Sequence, residues 1–147
     1  MAKKKPFLVA MSGGSGSGKS TLAEALLDHL QDGQAVLFGE DAYYYPMSHY
    51  GEPASKEEWT ALVGGINYDA PRSKEADRLV KDLRALKAGE TIQQPIYDYE
   101  RHDRSEKTRE INSAPILILE GIHALSFPKI RSLIDLSVYV DTPDDLR

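Results

Sequence analysis

Cysteine is absent from the 147 residues, which excludes a disulfide framework and any thiolate-held metal. Long apolar runs are missing as well. No stretch approaches the length of a membrane span, and the N-terminus lacks the apolar core and cleavage site of a signal peptide. The cytoplasm is the expected compartment, and a membrane is not an expected partner. Positive charge is also scarce: 18 Lys and Arg against 23 Asp and Glu leave a formal net charge of −5. The basic cluster at residues 3–5 reads as a solvated tail, so no nucleic-acid surface is expected. The guanine-reading pattern Asn-Lys-x-Asp does not occur, which argues against a GTPase-like switch. What is present, 41% hydrophobic residues without repeats, suits one domain over residues 1–147 with one core.

Glycine is concentrated instead of spread. Gly13, Gly14, Ser15, Gly16, Ser17, Gly18, Lys19 and Ser20 form Gly-x-x-x-x-Gly-Lys-Ser, directly after the apolar run 7–11. That is the phosphate-binding P-loop (Walker A) pattern in its required context of strand and then helix. Small residues let successive backbone N–H groups turn inward onto phosphate oxygens, and the following helix, entered through Thr21, adds its positive end. Lys19 then reaches the β- and γ-phosphates of a nucleoside triphosphate, and the Ser20 hydroxyl is offered to Mg²⁺.

Alternating elements follow. Leu22, Leu26 and Leu30, with Ala25 and Leu27, predict an amphipathic helix ending at Gly33. Residues 35–38 read as a second buried strand, leading into Gly39-Glu40-Asp41. In open α/β sheets ligands sit at the C-terminal strand ends, so Asp41 is placed to bind Mg²⁺ or to accept a proton from an attacking hydroxyl. A turn or capping aspartate is the alternative. Tyr43, Tyr44 and Tyr45 are either core or the floor of a pocket for a flat ring. Ser55 to Glu58 is a capping box, predicting a short helix over 56–63. Ser73 reads as the N-cap of a longer helix with Ala76, Leu79, Val80, Leu83 and Leu86 on one face. Between these helices the polar, aromatic loop 66–71 is of a kind that contacts ligands.

Residues 91–99 and 107–111 predict a hairpin across a charged turn, 100–106, which carries His102 and Arg104. His102 is either solvated there or reads a ligand edge. Residues 116–119 form a third buried strand followed by Glu120, the usual place of the second Mg²⁺ anchor in a P-loop protein. A helix over 127–134 and a strand over 136–140 complete an α/β fold, a P-loop parallel sheet with helices on both faces and a small β-hairpin.

Taken in order, the P-loop, Asp41-Ala42-Tyr43-Tyr44, Asn67-Tyr68-Asp69-Ala70-Pro71, Pro95-Ile96-Tyr97-Asp98-Tyr99 with His102 and Arg104, Glu120-Gly121-Ile122 and Asp141-Thr142 resemble successive motifs of the uridine kinase (uridine–cytidine kinase) family. The resemblance covers nearly the whole chain. It implies an ATP- or GTP-dependent, Mg²⁺-requiring kinase of pyrimidine nucleosides that serves pyrimidine salvage. It further implies Asp41 as the base at the 5′-hydroxyl, and Ser20, Asp41 and Glu120 around the metal. Asp69 would hold the ribose hydroxyls, with Tyr43, Tyr68, Tyr97, His102 and Arg104 at the nucleoside and Lys19 at the phosphates. A homotetramer is implied as well.

The chain also departs from that pattern. Members usually carry histidine at Ala70, a Phe-Asp pair at Ser73-Lys74, and an arginine-rich lid, last strand and helix beyond the position of Arg147. A chain of these 147 residues alone is therefore expected to turn over weakly and to leave the apolar strand 136–140 uncovered. A kinase of another small hydroxyl compound, such as a sugar phosphate or pantothenate, and a non-catalytic nucleotide-binding remnant stay open on these residues.

Overall fold

The computed structural model describes residues 3–143; position 147, where relatives continue, lies outside them. Four parallel strands, β1 (Phe7–Gly13), β2 (Ala35–Gly39), β5 (Ile116–Glu120) and β6 (Leu136–Val140), form one sheet in the order β2-β5-β1-β6. A separate antiparallel hairpin pairs β3 (Ile92–Asp98) with β4 (Asp103–Ile111). The helices are α1 (Lys19–His29), α2 (Lys56–Gly64), α3 (Ala76–Lys87) and the single turn α4 (Pro128–Arg131).

The sheet is covered on both faces because the first five residues of β1 are apolar, all but Phe7 are buried, and they alternate between the faces. Leu8 and Ala10, with Phe38, Leu117 and Leu119, pack under Leu79, Val80, Leu83 and Leu86 of α3. Val9, Met11 and Ile118 pack against Ala23 of α1, with Leu26 partly buried beside them. Each large side chain fully buried in this way contributes roughly 1.5–3 kcal/mol.

Three expectations are corrected. The stripe on α1 is rotated: Leu22 is exposed, and Lys19 and Ala23 are the buried positions. The P-loop sets the helix's angle, because it turns Lys19 inward toward Glu120, and residues four apart share its face. Ser73 does not cap α3. It lies in a 3-10 turn (Pro71–Ser73) and its hydroxyl donates to the Tyr68 and Ala70 carbonyls, leaving Glu75 at the N-cap. The helix expected over 127–134 shrinks to α4, after which the chain turns so that Asp135 meets β1. The hairpin, for its part, is longer than expected and its turn shorter, closed by Asp98 accepting from the Glu100 and Arg101 N–H groups.

Asp135 anchors the entry to β6. Its Oδ2 accepts from the Leu8 N–H and from Lys87 Nζ, each at 2.8 Å. The backbone hydrogen bond first and Lys87 second hold its carboxyl below the ordinary 3.8, against a smaller opposing effect of burial. A depressed carboxylate stabilises the fold fully above its unfolded value, and that contribution is lost as pH falls through the folded value. Asp135→Asn is therefore expected to lower stability by a constant amount at neutral pH. In urea unfolding the gap to wild type should close below about pH 3.8; a gap unchanged at pH 3 would refute this role.

Candidate active site

Strand register builds the site. Met11 of β1, Glu120 of β5 and Gly39 of β2 lie side by side at the C-terminal ends of three adjacent strands. Two residues past Met11 the P-loop begins; two past Gly39 stands Asp41. Neighbouring strands are about 4.8 Å apart, so the phosphate loop, the acid on β5 and the acid after β2 open on one edge.

The P-loop has the backbone that its glycines predict. Gly16 and Gly18 lie in the left-handed region, with φ of 74° and 90°, which side chains disfavour. A Cβ on Gly13 would lie 2.7 Å from both the Ser17 hydroxyl and the Val140 carbonyl. Ser17 N–H donates to the Gly14 carbonyl, and Thr142 Oγ1 donates to the Ser17 carbonyl at 2.6 Å, tying the loop to the segment after β6. Gly18 is the N-cap of α1, and Thr21 is exposed in its first turn. Ser20 Oγ donates to Glu120 Oε1 at 2.9 Å, and Lys19 Nζ stands 3.7 Å from the same oxygen. A hydroxyl and a carboxylate side by side under a lysine are hard-oxygen ligands of the kind Mg²⁺ takes, together with waters and substrate phosphates. These residues fit the ion. Among the described residues no group of three or more His, Asp or Glu side chains gathers as a metal cluster.

Asp41 is differently engaged. It lies in a 3-10 turn (Glu40–Tyr43), its side chain 54% exposed, and its Oδ1 accepts from Lys74 Nζ at 2.9 Å. That contact engages one of its two oxygens with an ammonium, while Ser20 and Glu120 are bonded to each other. Lys74 is fully buried and also bonds Glu40 Oε1 at 3.0 Å. Glu40, fully buried too, accepts from the His123 N–H on both oxygens. Burial pushes its carboxyl up, opposed chiefly by Lys74. His123 Nε2 lies 2.6 Å from the Asp69 carbonyl oxygen, linking the β5 end to the loop carrying Asp69.

On the far side of Lys74 lies an aromatic cluster. The ammonium sits 3.9 Å from the Tyr44 ring centroid, within cation–π range. Tyr44 contacts Tyr97 at 5.0 Å and Tyr68 at 5.6 Å between ring centres. His102 stands 5.4 Å from Tyr68 and 5.8 Å from Trp59. Burial is the first cause raising the phenols of Tyr44 and Tyr97 above their ordinary value, so both stay protonated at neutral pH and can donate. The Tyr97 and Tyr68 hydroxyls are both buried, and Tyr68 stands close enough to add, after burial, to the raising of the Tyr97 phenol. His102 is held at the hairpin tip with φ 48°, a conformation histidine tolerates better than most residues. Asp69 is exposed, its N–H donating to Asn67 Oδ1.

One expected binding residue faces elsewhere, and another braces the cluster from beside it. Tyr43 is fully buried in the core, and its hydroxyl donates to Asp82 Oδ2 at 2.8 Å. The middle of three tyrosines, not the first, points to the cluster, because the 3-10 turn rotates successive side chains by about a third of a turn. Arg104 is a brace: its guanidinium lies 2.7 Å from Glu75 Oε2 and donates at 2.7 Å to the Tyr44 carbonyl. Trp59, Lys74, Glu40 and His123 were not legible as site residues. Trp59 sits on a helix whose capping box, Ser55 with Glu58, reads as structure alone, and the other three matter only through partners far away in sequence.

Comparison with known proteins agrees with this architecture. The model of the phosphoribulokinase / uridine kinase family matches residues 8–147. A uridine kinase of Listeria innocua is 38% identical over 144 residues, covering 98% of this chain and 65% of the relative. The chain thus spans about two thirds of the length of such curated relatives, slightly less in the case of that one. Among solved structures, one described as a possible uridine kinase from Bacillus stearothermophilus superposes with a TM-score of 0.70 at 23% identity, over 99% of this chain and 76% of that one. The phosphoribulokinase of Rhodobacter spheroides gives 0.63 at 16% identity, over 93% and 51%. These structural likenesses establish the fold, while the match of the family model over residues 8–147 establishes the lineage: the chain belongs to the phosphoribulokinase / uridine kinase family.

Proposed function

We propose that this chain carries the nucleotide-binding and acceptor sites of a kinase that transfers the γ-phosphoryl group of ATP to the 5′-hydroxyl of uridine or cytidine. One observation carries the reading. The aromatic cluster of Tyr44, Tyr68, Tyr97 and His102 is joined to Asp41 through Lys74, which touches both the Tyr44 ring and the Asp41 carboxylate. A flat base enclosed by those rings leaves its sugar toward Asp69 and Asp41. A carboxylate at position 69 suits paired ribose hydroxyls, because it accepts two hydrogen bonds at once. Phosphoryl transfer passes through a loose transition state, so the work of this chain is positioning and charge neutralisation. The P-loop N–H groups and Lys19 hold the phosphates. Asp41 takes the proton of the attacking hydroxyl as the O–P bond forms. Ser20 and Glu120 would hold Mg²⁺, which would offset charge on the transferring phosphates.

The 38% identity to a uridine kinase supports this substrate class. No helix among the described residues is long and apolar enough to cross a membrane. A role in cytoplasmic pyrimidine salvage is part of the proposal. Association into a homotetramer remains part of the proposal.

The test is ATP- and Mg²⁺-dependent phosphorylation of uridine and cytidine, beside a sugar phosphate and pantothenate as competing acceptors. Transfer to a nucleoside is the expected result, and transfer to either other acceptor in its place would overturn the reading. His102→Ala should raise the nucleoside KM about tenfold, the loss of roughly one aromatic contact. The KM for ATP should stay unchanged; equal rises in both would place His102 outside the acceptor pocket.

A further inference from the structure

A lysine ammonium is almost never fully buried without pairing, yet Lys74 is, and its surroundings are over-determined. Its backbone is fixed by an antiparallel bridge to Tyr44, flanked by Tyr45 N–H donating to the Ser73 carbonyl at 3.1 Å and Glu75 N–H donating to the Tyr43 carbonyl at 2.8 Å. Its ammonium then meets Glu40, Asp41 and the Tyr44 ring. Glu40 alone would neutralise the lysine. That carboxylate is turned inward onto the His123 N–H. The second contact, to the half-exposed Asp41, is thus not needed to balance the buried charge, and its consequence falls on Asp41.

We propose that Lys74 is a positioning residue for phosphoryl transfer: it holds Oδ1 of Asp41 so that the other carboxylate oxygen stays directed at the acceptor hydroxyl. The proposal rests on the reading of Asp41 as the base. A short carboxylate on a 3-10 turn has free rotation about its last bond, and the ammonium removes it. Misplacement of a reacting group by about 1 Å can cost on the order of a hundredfold in rate. Because the Tyr44 ring lies against the same ammonium, Lys74 also links the aromatic cluster to the base.

The test is a double-mutant cycle on the complete encoded polypeptide, with kcat normalised to the fraction of protein that binds ATP. Lys74→Met alone leaves Glu40 buried and unpaired, so it is combined with Glu40→Gln to remove both buried charges. The expected result is a kcat lowered by about 10- to 100-fold in Glu40→Gln/Lys74→Met, with the KM for ATP within twofold. In the Asp41→Asn background the same pair of changes should alter kcat less than threefold, since the group being positioned is gone. A kcat within twofold of wild type in Glu40→Gln/Lys74→Met overturns the proposal and makes Lys74 a counter-charge to Glu40. So does an equal loss in the Asp41→Asn background. If Asp41→Asn by itself keeps full activity, the reading of Asp41 as base fails, and the positioning role fails with it.

Discussion

Asp41→Asn is expected to lower kcat for nucleoside phosphorylation by about 10²- to 10⁴-fold, the range by which a positioned general base accelerates a reaction. The KM values for ATP and nucleoside should change little. Asparagine keeps the shape and one carbonyl oxygen, so the Lys74 contact persists as a hydrogen bond, and Lys74 still has Glu40 at 3.0 Å. The fold has no reason to loosen. The P-loop and Lys19, proposed to hold the phosphates, lie at a different strand end from Asp41. Steady-state kinetics with a matched thermal melt separate the outcomes. A kcat within threefold of wild type would show that the hydroxyl loses its proton elsewhere, and a large rise in KM without loss of kcat would make Asp41 a binding group.

Gly121→Ala should produce the largest loss of stability. A Cβ at that position would lie 2.5 Å from Cδ and Oε2 of Glu40 and 2.8 Å from its Cβ. Carbon atoms do not approach so closely, and Glu40 has no room to retreat. It is fully buried and held by Lys74 on one side and the His123 N–H on the other. Either the β5 turn shifts, at the roughly 1–3 kcal/mol of an overpacked core, or the buried ion pair opens, at about 3–5 kcal/mol. At roughly 2–4 °C per kcal/mol for a chain of this size, the melting temperature should fall by about 10 °C. Gly64→Ala is the control, since nothing lies within 4 Å of its added carbon. If the two variants melt together, the packing around Glu40 is softer than these distances imply.

Much of the fold was readable in the chain. Each strand of the main sheet was expected within two residues of where it lies, because a short apolar run between turn residues has little else to become. The backbone of the P-loop was readable because glycines in left-handed conformation, a lysine and a hydroxyl at fixed spacing are local requirements. Errors arose where one signal in the sequence was overridden by another contact or turn. Ser73 has the composition of an N-cap, but its hydroxyl is taken by the Tyr68 and Ala70 carbonyls. Leu22 belongs to a good apolar stripe, but the helix is turned to aim Lys19. Tyr43 and Tyr44 are indistinguishable as letters; the 3-10 turn sends one into the core and the other to the site.

By itself the sequence determined the P-loop, the alternation of strand and helix, and the acids that end β2 and β5, since each depends on residues within about ten positions of one another. Tertiary structure alone decided which of those acids serves which partner. Glu120 joins Ser20 from 100 positions away, and Lys74 joins Glu40 and Asp41 from 34 and 33. A buried charge is tolerated only where folding brings its counter-charge within hydrogen-bonding distance, and no local pattern records where that counter-charge will come from.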